Sequence, residues 1–256
     1  MCHGLTEADG LFPLTADHFE KLVRIANDMG FTSINYDDLA TWRNEKGELP
    51  DRPIMFDFDH SDRSMRYGVH PILERYGYFG NLFINTGWFN VDDDNFHRCM
   101  TWDEVRELRH LGWHIGAHTV THPNLSELAK EDPDGEKLRW ELNACDEKLR
   151  TELEINPKDF AFTGTSWSSE AERQVAERYR FGRLWIVGTH YQADGKQSRM
   201  ADLMGVEGED VDDDGPPIEA RYITRRTHPY RLPSVELQRH LIYHPEAFRR
   251  YLTDAL

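Results

Sequence analysis

The chain has 256 residues, with 46 acidic against 30 basic side chains and a formal charge of −16. Hydrophobic residues make up 39% and aromatics 12%, too many for a mainly disordered chain and enough to bury a core the size of an α/β barrel domain or of two small domains. A polyanion is repelled by nucleic acid and by anionic membrane surfaces, so neither is an expected partner. Cys2, Cys99 and Cys145 are odd in number and widely spaced, a pattern of neither a disulfide framework nor a zinc–thiolate site. The opening MCHGLTEADG has no basic segment and no apolar run, and no apolar stretch reaches bilayer length. The expectation is a cytoplasmic protein without a transmembrane segment, or a secreted one if the chain start is incomplete.

In chain order, residues 14–30 read as a helix capped by Thr15 or Asp17 and stopped by Gly30, and 31–35 as a short strand. Residues 53–59, PIMFDFD, form an apolar strand interrupted by acids. A helix over 67–76, a strand over 81–86, a helix over 101–111 with a Thr101/Glu104 capping box and a strand over 112–118 follow. Then come the longest helix, 135–153, a strand at 159–163, a helix at 168–179, a strand at 183–189 and a terminal helix at 245–256. The acidic stretch 206–217, VEGEDVDDDGPP, reads as a solvated loop. Repeated β–α alternation with short connections predicts parallel strands with crossover helices, and chemistry at the strands' C-terminal ends.

Two clusters stand at such ends. Asp57 and Asp59 are two apart and point to one side of their strand; side by side they repel unless a cation lies between them. His118 and His122 follow the strand that ends at 118, and the β-branched residues between them, with Pro123 next, favour a tight turn over a helix. Two imidazoles and one carboxylate make an open divalent-metal site with the remaining positions left to water. His60 and Asp62 are alternative ligands. His114 is about 13 Å back along the strand from His118, too far to share the ion, and is expected to pack.

These residues resemble the polysaccharide deacetylases, the NodB-homology domains of carbohydrate esterase family four. The resemblance rests on residues 100–128, MTWDEVRELRHLGWHIGAHTVTHPNLSEL, with an H-[ST]-x-x-H motif; on 54–59, IMFDFD, against the family's T-F-D-D-G; and on 160–168, FAFTGTSWS, against F-A-Y-P-Y-G. The opening CHG and the segment 12–35 also fit. The resemblance implies a fold of the α/β class: a distorted (β/α) barrel with about seven parallel strands, and one catalytic domain over residues 1–256. It implies a metal-dependent hydrolase that removes N-acetyl groups from an N-acetylated sugar or glycan. One divalent ion, zinc by preference with cobalt or nickel as alternatives, would be held by Asp59, His118 and His122. Asp57 would be the catalytic base, with the two acids' roles open to exchange because Phe58 separates them here. Gly164 would offer a backbone N–H to the oxyanion. His244 is the first choice for the family's late general acid, with His190 and His228 as alternatives. Trp167 and Trp88 are candidate sugar-stacking residues, whereas Trp102 and Trp113 are expected in the core. The competing functions are hydrolysis of another linear or cyclic amide on the same fold, and a decayed glycan-binding homologue.

Overall fold

The structure, a computed structural model, describes residues 1–6, 14–44, 46–89, 99–164, 166–184, 190–191, 197–198, 222–237 and 239–256. The acidic stretch 206–217 and most of the strand expected at 183–189 lie outside the described residues.

The first helix, α1 (Ala16–Asp28), starts where Thr15 accepts a hydrogen bond from the His18 amide. It buries Phe19, Leu22, Val23, Ile25 and Ala26, and the larger of these side chains contribute about 1.5–3 kcal/mol each. Strand β1 (Thr32–Ser33) leads into α2 (Tyr36–Arg43), which the sequence reading missed; an Asn35/Asp38 capping box starts it. The strand expected at 53–59 divides into two. Pro53–Ile54 (β2) pairs with β1, and Asp57–Asp59 (β3) pairs with a different sheet, because the chain changes partner between Ile54 and Phe56.

A π-helical turn at Met65–Val69 runs into α3 (His70–Arg75), where a helix was expected over 67–76. The alternation continues through β4 (Asn81–Ile84), α4 (Trp102–His110), β5 (His114–Ala117), a further unanticipated helix α5 (Leu125–Glu131), α6 (Glu136–Leu153), β6 (Asp159–Ala161), α7 (Ser169–Ala176) and β7 (Phe181–Arg183). A short antiparallel pair, His190–Tyr191 with Gln197–Ser198, and the helices Arg239–Tyr243 and Pro245–Thr253 follow.

Strands β3, β4, β5, β6 and β7 form one parallel sheet in that order. Its strand number, five among the described residues, corrects the expected seven. Two extended segments explain the difference, since each is joined by single bridges too sparse to make a strand. Cys2 bonds β3 on both sides of Phe58, through Asp57 O and the Asp59 amide at 3.1 Å each. Leu232 bonds Gly182 and Leu184 beside β7, and the Leu237 amide reaches Met1 O at 2.9 Å. The circuit from β3 to β7 therefore returns through residues 232–237 and 1–2 to β3, closing a distorted barrel.

Strand alternation then sorts the side chains. Phe58 faces outward onto Phe19 and Trp113, with ring centroids 6.1 and 5.1 Å away. Asp57, Asp59, Asn81, Phe83, His114, Phe181 and Arg183 share the interior: Asn81 bonds Asp57, Tyr36 rings meet Phe83, His114 and Phe181, and the Arg183 guanidinium lies 5.2 Å from the Phe83 ring centroid. Gly116 is required here, because a Cβ would stand 2.5 Å from the Phe83 ring.

Candidate active site

The C-terminal ends of β3 and β5 carry the site. His60, directly after β3, His118, directly after β5, and His122 in the following turn bring one ring nitrogen each to within 4.8 Å of one another. Their ring centroids are 4.8–5.5 Å apart. The backbone is strained to achieve this. His60, Thr119 and His122 have φ of 73°, 66° and 61°, in the left-handed region that costs an L-residue about 1–2 kcal/mol.

Several bonds hold that strain. The His60 amide donates to Phe83 O at 2.9 Å and the His118 amide to Ile84 O at 2.9 Å, so β4 anchors both ligand positions. The Thr86 and Gly87 amides donate to Thr119 O and Val120 O at 3.0 and 2.9 Å. Gly87 permits that approach, since a Cβ there would meet Val120 O at 2.6 Å. Glu141, buried on α6, clamps the turn from the other side. Its carboxylate accepts from the Val120 and Thr121 amides at 2.7 and 2.9 Å and from the Thr121 hydroxyl. Thr119 Oγ1 accepts from the His122 amide at 3.1 Å.

The donor set fits a divalent metal. His118 Nδ1 is engaged by Ala161 O at 2.8 Å, which leaves Nε2 facing the cluster; His118 Nε2 and His60 Nε2 are both buried without a hydrogen-bond partner. Burial, followed by mutual repulsion, pushes the His60 pKa down to about 2; burial takes that of His118 down to about 3 and lowers that of His122. All three imidazoles are therefore neutral at physiological pH, the form that binds metal.

The two acids occupy different places. Asp59 is fully buried beside the histidines, and its Oδ1 is bound by the Arg183 guanidinium. Burial alone would raise its pKa, but Arg183, with His118, His3 and His60, holds it well below the usual carboxylate range. Asp57 lies one layer deeper. Its Oδ2 accepts from Tyr36 Oη at 2.7 Å and its Oδ1 from Asn81 Nδ2 at 3.0 Å, with Arg183 Nε 3.6 Å away; burial raises its pKa. His60, one of the sequence alternatives, thus joins His118 and His122, while Asp59 lies beside them on Arg183. Asp62, the other alternative, accepts from the Ser64 amide in the turn after β3.

Of the remaining candidates, Gly164 sits in the loop after β6 with φ 55° and open space where a Cβ would project. That loop is stitched to the histidine turn: Ser166 Oγ accepts from the Leu125 amide at 2.8 Å, and the Thr163 hydroxyl donates to Pro123 O. Trp88 stands beside His60 and His122 at ring distances of 4.7 and 5.6 Å, half-buried. Trp167 is buried, with its indole N–H on Glu172 and Arg231 over its ring, so it presents no open stacking face. Trp102 stacks on Phe89 and Trp113 donates to His70, both in the core. His114 stacks on Tyr36 with Nε2 3.0 Å from Asp159. His244 is exposed at the start of helix Pro245–Thr253, and His228 packs on Tyr230; neither touches the histidine cluster. The side chain of His190 lies outside the described residues.

The sequence reading gave His3 and Glu236 no role. The His3 ring centroid is 4.7 Å from that of His60, and His3 Nδ1 is 3.3 Å from Glu236 Oε1. The signal was present only as the opening CHG; nothing local pairs it with a glutamate far along the chain.

A histidine cluster at the C-terminal mouth of a parallel barrel, beside a buried carboxylate–arginine pair, stands where α/β barrels carry their chemistry. The family model for polysaccharide deacetylase matches residues 46–182, more than half of the chain, and the chain belongs to that family. Over 89 residues it is 33% identical to poly-beta-1,6-N-acetyl-D-glucosamine N-deacetylases of Staphylococcus aureus strains, a match covering 34% of this chain and 30% of those relatives. Among solved structures, a Streptococcus pyogenes deacetylase in complex with acetate superposes with a TM-score of 0.69 at 14% identity, over 98% of this chain and 94% of that one. The IcaB protein of Ammonifex degensii superposes with a TM-score of 0.66 at 13% identity, over 97% and 95%. At these identities the superpositions show a shared fold.

Proposed function

We propose that the protein is a metal-dependent N-deacetylase of N-acetylglucosamine glycans, with His60, His118 and His122 holding one divalent ion, zinc by preference. The observation that carries this is the convergence of three neutral imidazoles, two with orphaned buried nitrogens, beside an ionised Asp59 in a chain of this family. A bound ion of this kind acidifies water and polarises the acetyl carbonyl.

The chain's own residues supply the rest. Asp59, kept ionised and oriented by Arg183, accepts the proton of the attacking water. The Gly164 loop offers backbone N–H groups to the charge that develops on the carbonyl oxygen. His3, backed by Glu236 and with its ring 4.7 Å from that of His60, is assigned to protonate the leaving amine in preference to the exposed His244. Trp88 walls the site beside His60 and His122. Asp57 belongs to the packed layer below, where it neutralises the other side of Arg183. The relatives' substrate makes a β-1,6-linked polymer of N-acetylglucosamine the first to try.

The test is acetate release from β-1,6- and β-1,4-linked N-acetylglucosamine oligomers, with zinc, cobalt or nickel added and with a chelator. Chelator-sensitive release supports the reading. No release from any oligomer, with metal bound, sinks it in favour of another amide substrate or a binding role.

A further inference from the structure

Arg183 stands between two carboxylates. Its Nη2 is on Asp59 Oδ1, whereas its Nε is 3.6 Å from Asp57 Oδ2 and is buried without a hydrogen-bond partner. A guanidinium is a planar fork of donors, and a small rotation lets it serve either acid. A third contact bears on that choice. Nη1 donates to Ser234 Oγ at 3.2 Å. The Ser234 hydroxyl gives its only proton to Leu184 O at 2.7 Å, so the lone pairs of Oγ are left for the guanidinium. Main-chain pairing puts Ser234 there. The Leu184 amide donates to Leu232 O at 2.9 Å and the Leu232 amide to Gly182 O at 3.0 Å, and residues 232 and 234 share one side of an extended segment. Leu184 follows Arg183 in the chain, so Ser234 is fixed to the same strand end whose arginine it holds.

Resting on the deacetylase reading, we propose that Ser234 is a positioning residue that decides which acid Arg183 serves. It pins Nη1, keeps Nη2 on Asp59 and holds the guanidinium off Asp57. Two buried carboxylates compete for one cation, and both attract it strongly where water is excluded. Without Ser234, the unpartnered Nε closes on Asp57, Nη2 leaves Asp59, and Asp59 is no longer aimed at the attacking water.

The test combines crystal structures with kinetics on N-acetylglucosamine oligomers in the presence of zinc. In Ser234→Ala the guanidinium is expected to leave Asp59 and bond Asp57, and kcat to fall about tenfold or more at unchanged KM. Ser234→Cys, similar in size but a weak acceptor, should behave alike, and Ser234→Thr, which keeps the hydroxyl, should restore both readouts. The deciding variant is Ser234→Ala with Asp57→Asn. Removing the competing charge should return the guanidinium to Asp59 and bring kcat back to that of Asp57→Asn alone, whereas two merely structural losses would multiply. A guanidinium that stays on Asp59 in Ser234→Ala and Ser234→Cys overturns the proposal, as do multiplying losses or movement with kcat unchanged. Movement in Ser234→Ala that Asp57→Asn reverses, with no acetate released by wild type under any metal, keeps the Ser234 mount and overturns the deacetylase reading instead.

Discussion

The barrel interior holds two polar layers one strand-step apart, and they differ in how their carboxylates and histidines are arranged. In the lower layer the carboxylates find partners: Asp57 is bonded by Tyr36 and Asn81, and Asp159 by Arg180, with His114 3.0 Å away. In the upper layer His60 and His118 keep buried ring nitrogens with no hydrogen-bond partner, on a backbone held at positive φ. Leaving a buried polar atom unpaired costs about 1–3 kcal/mol, and such costs concentrate where function requires them. The comparison teaches that burial and charge alone do not mark the site, since Asp57 is as buried as Asp59. What marks it is the convergence of three imidazole nitrogens within 4.8 Å of one another.

The sharpest way to break that distinction is a pair of variants. Asp59→Asn should lower acetate release by about 10²–10⁴-fold while metal content holds. Asp57→Asn should leave activity within about tenfold and act on Tm instead, by about 2–4 °C for each kcal/mol lost in a chain of this size. Equal losses in both would erase the separation into layers. The metal assignment is tested next. His60→Ala should cut zinc affinity by about 100-fold or more in competition with a chromophoric chelator, and His60→Asp should recover much of it, since a carboxylate is an equivalent ligand. Unaltered affinity in His60→Ala would return the ligand role to Asp59.

Glu141→Gln keeps the shape of the clamp and removes its charge. Because outer partners orient ligands, metal affinity should fall by about 10–100-fold with little change in the folded state's circular dichroism.

The smallest effect lies far from the site. Burial raises the Asp146 pKa to about 6, with Tyr179 Oη donating to it at 2.7 Å. A folded-state pKa above the unfolded value of about 3.9 means the native protein binds the proton more tightly, so stability falls as pH climbs from about 4 through 6. Asp146→Asn should therefore stabilise the protein by up to about 2 kcal/mol at pH 7–8 and by almost nothing at pH 4, read from denaturant midpoints at both. An equal gain at both pH values would refute the buried-charge explanation.

The sequence showed the alternating elements, the Thr101/Glu104 capping box, the membership-bearing motifs and the strand-end histidines, because those signals are local: periodicity, caps and turn residues act within a few positions. Three helices among the described residues escaped it, Arg239–Tyr243 and two others, although Asn35 with Asp38 and Asn124 ahead of Leu125 are ordinary caps; the neighbouring short strand and Pro123 obscured those two. The choice among His60, Asp59 and Asp57 needed tertiary structure. Spacing two apart fixes a common face but not which acid meets Arg183 from β7, 124 residues away. The same holds for His3 with Glu236 and for Glu141 beneath the histidine turn. By itself the sequence determined which chemistry is carried at the strand ends. Only the closed barrel decided which groups are paired and which stay open, because pairing across the barrel depends on strand order and register that no local pattern encodes.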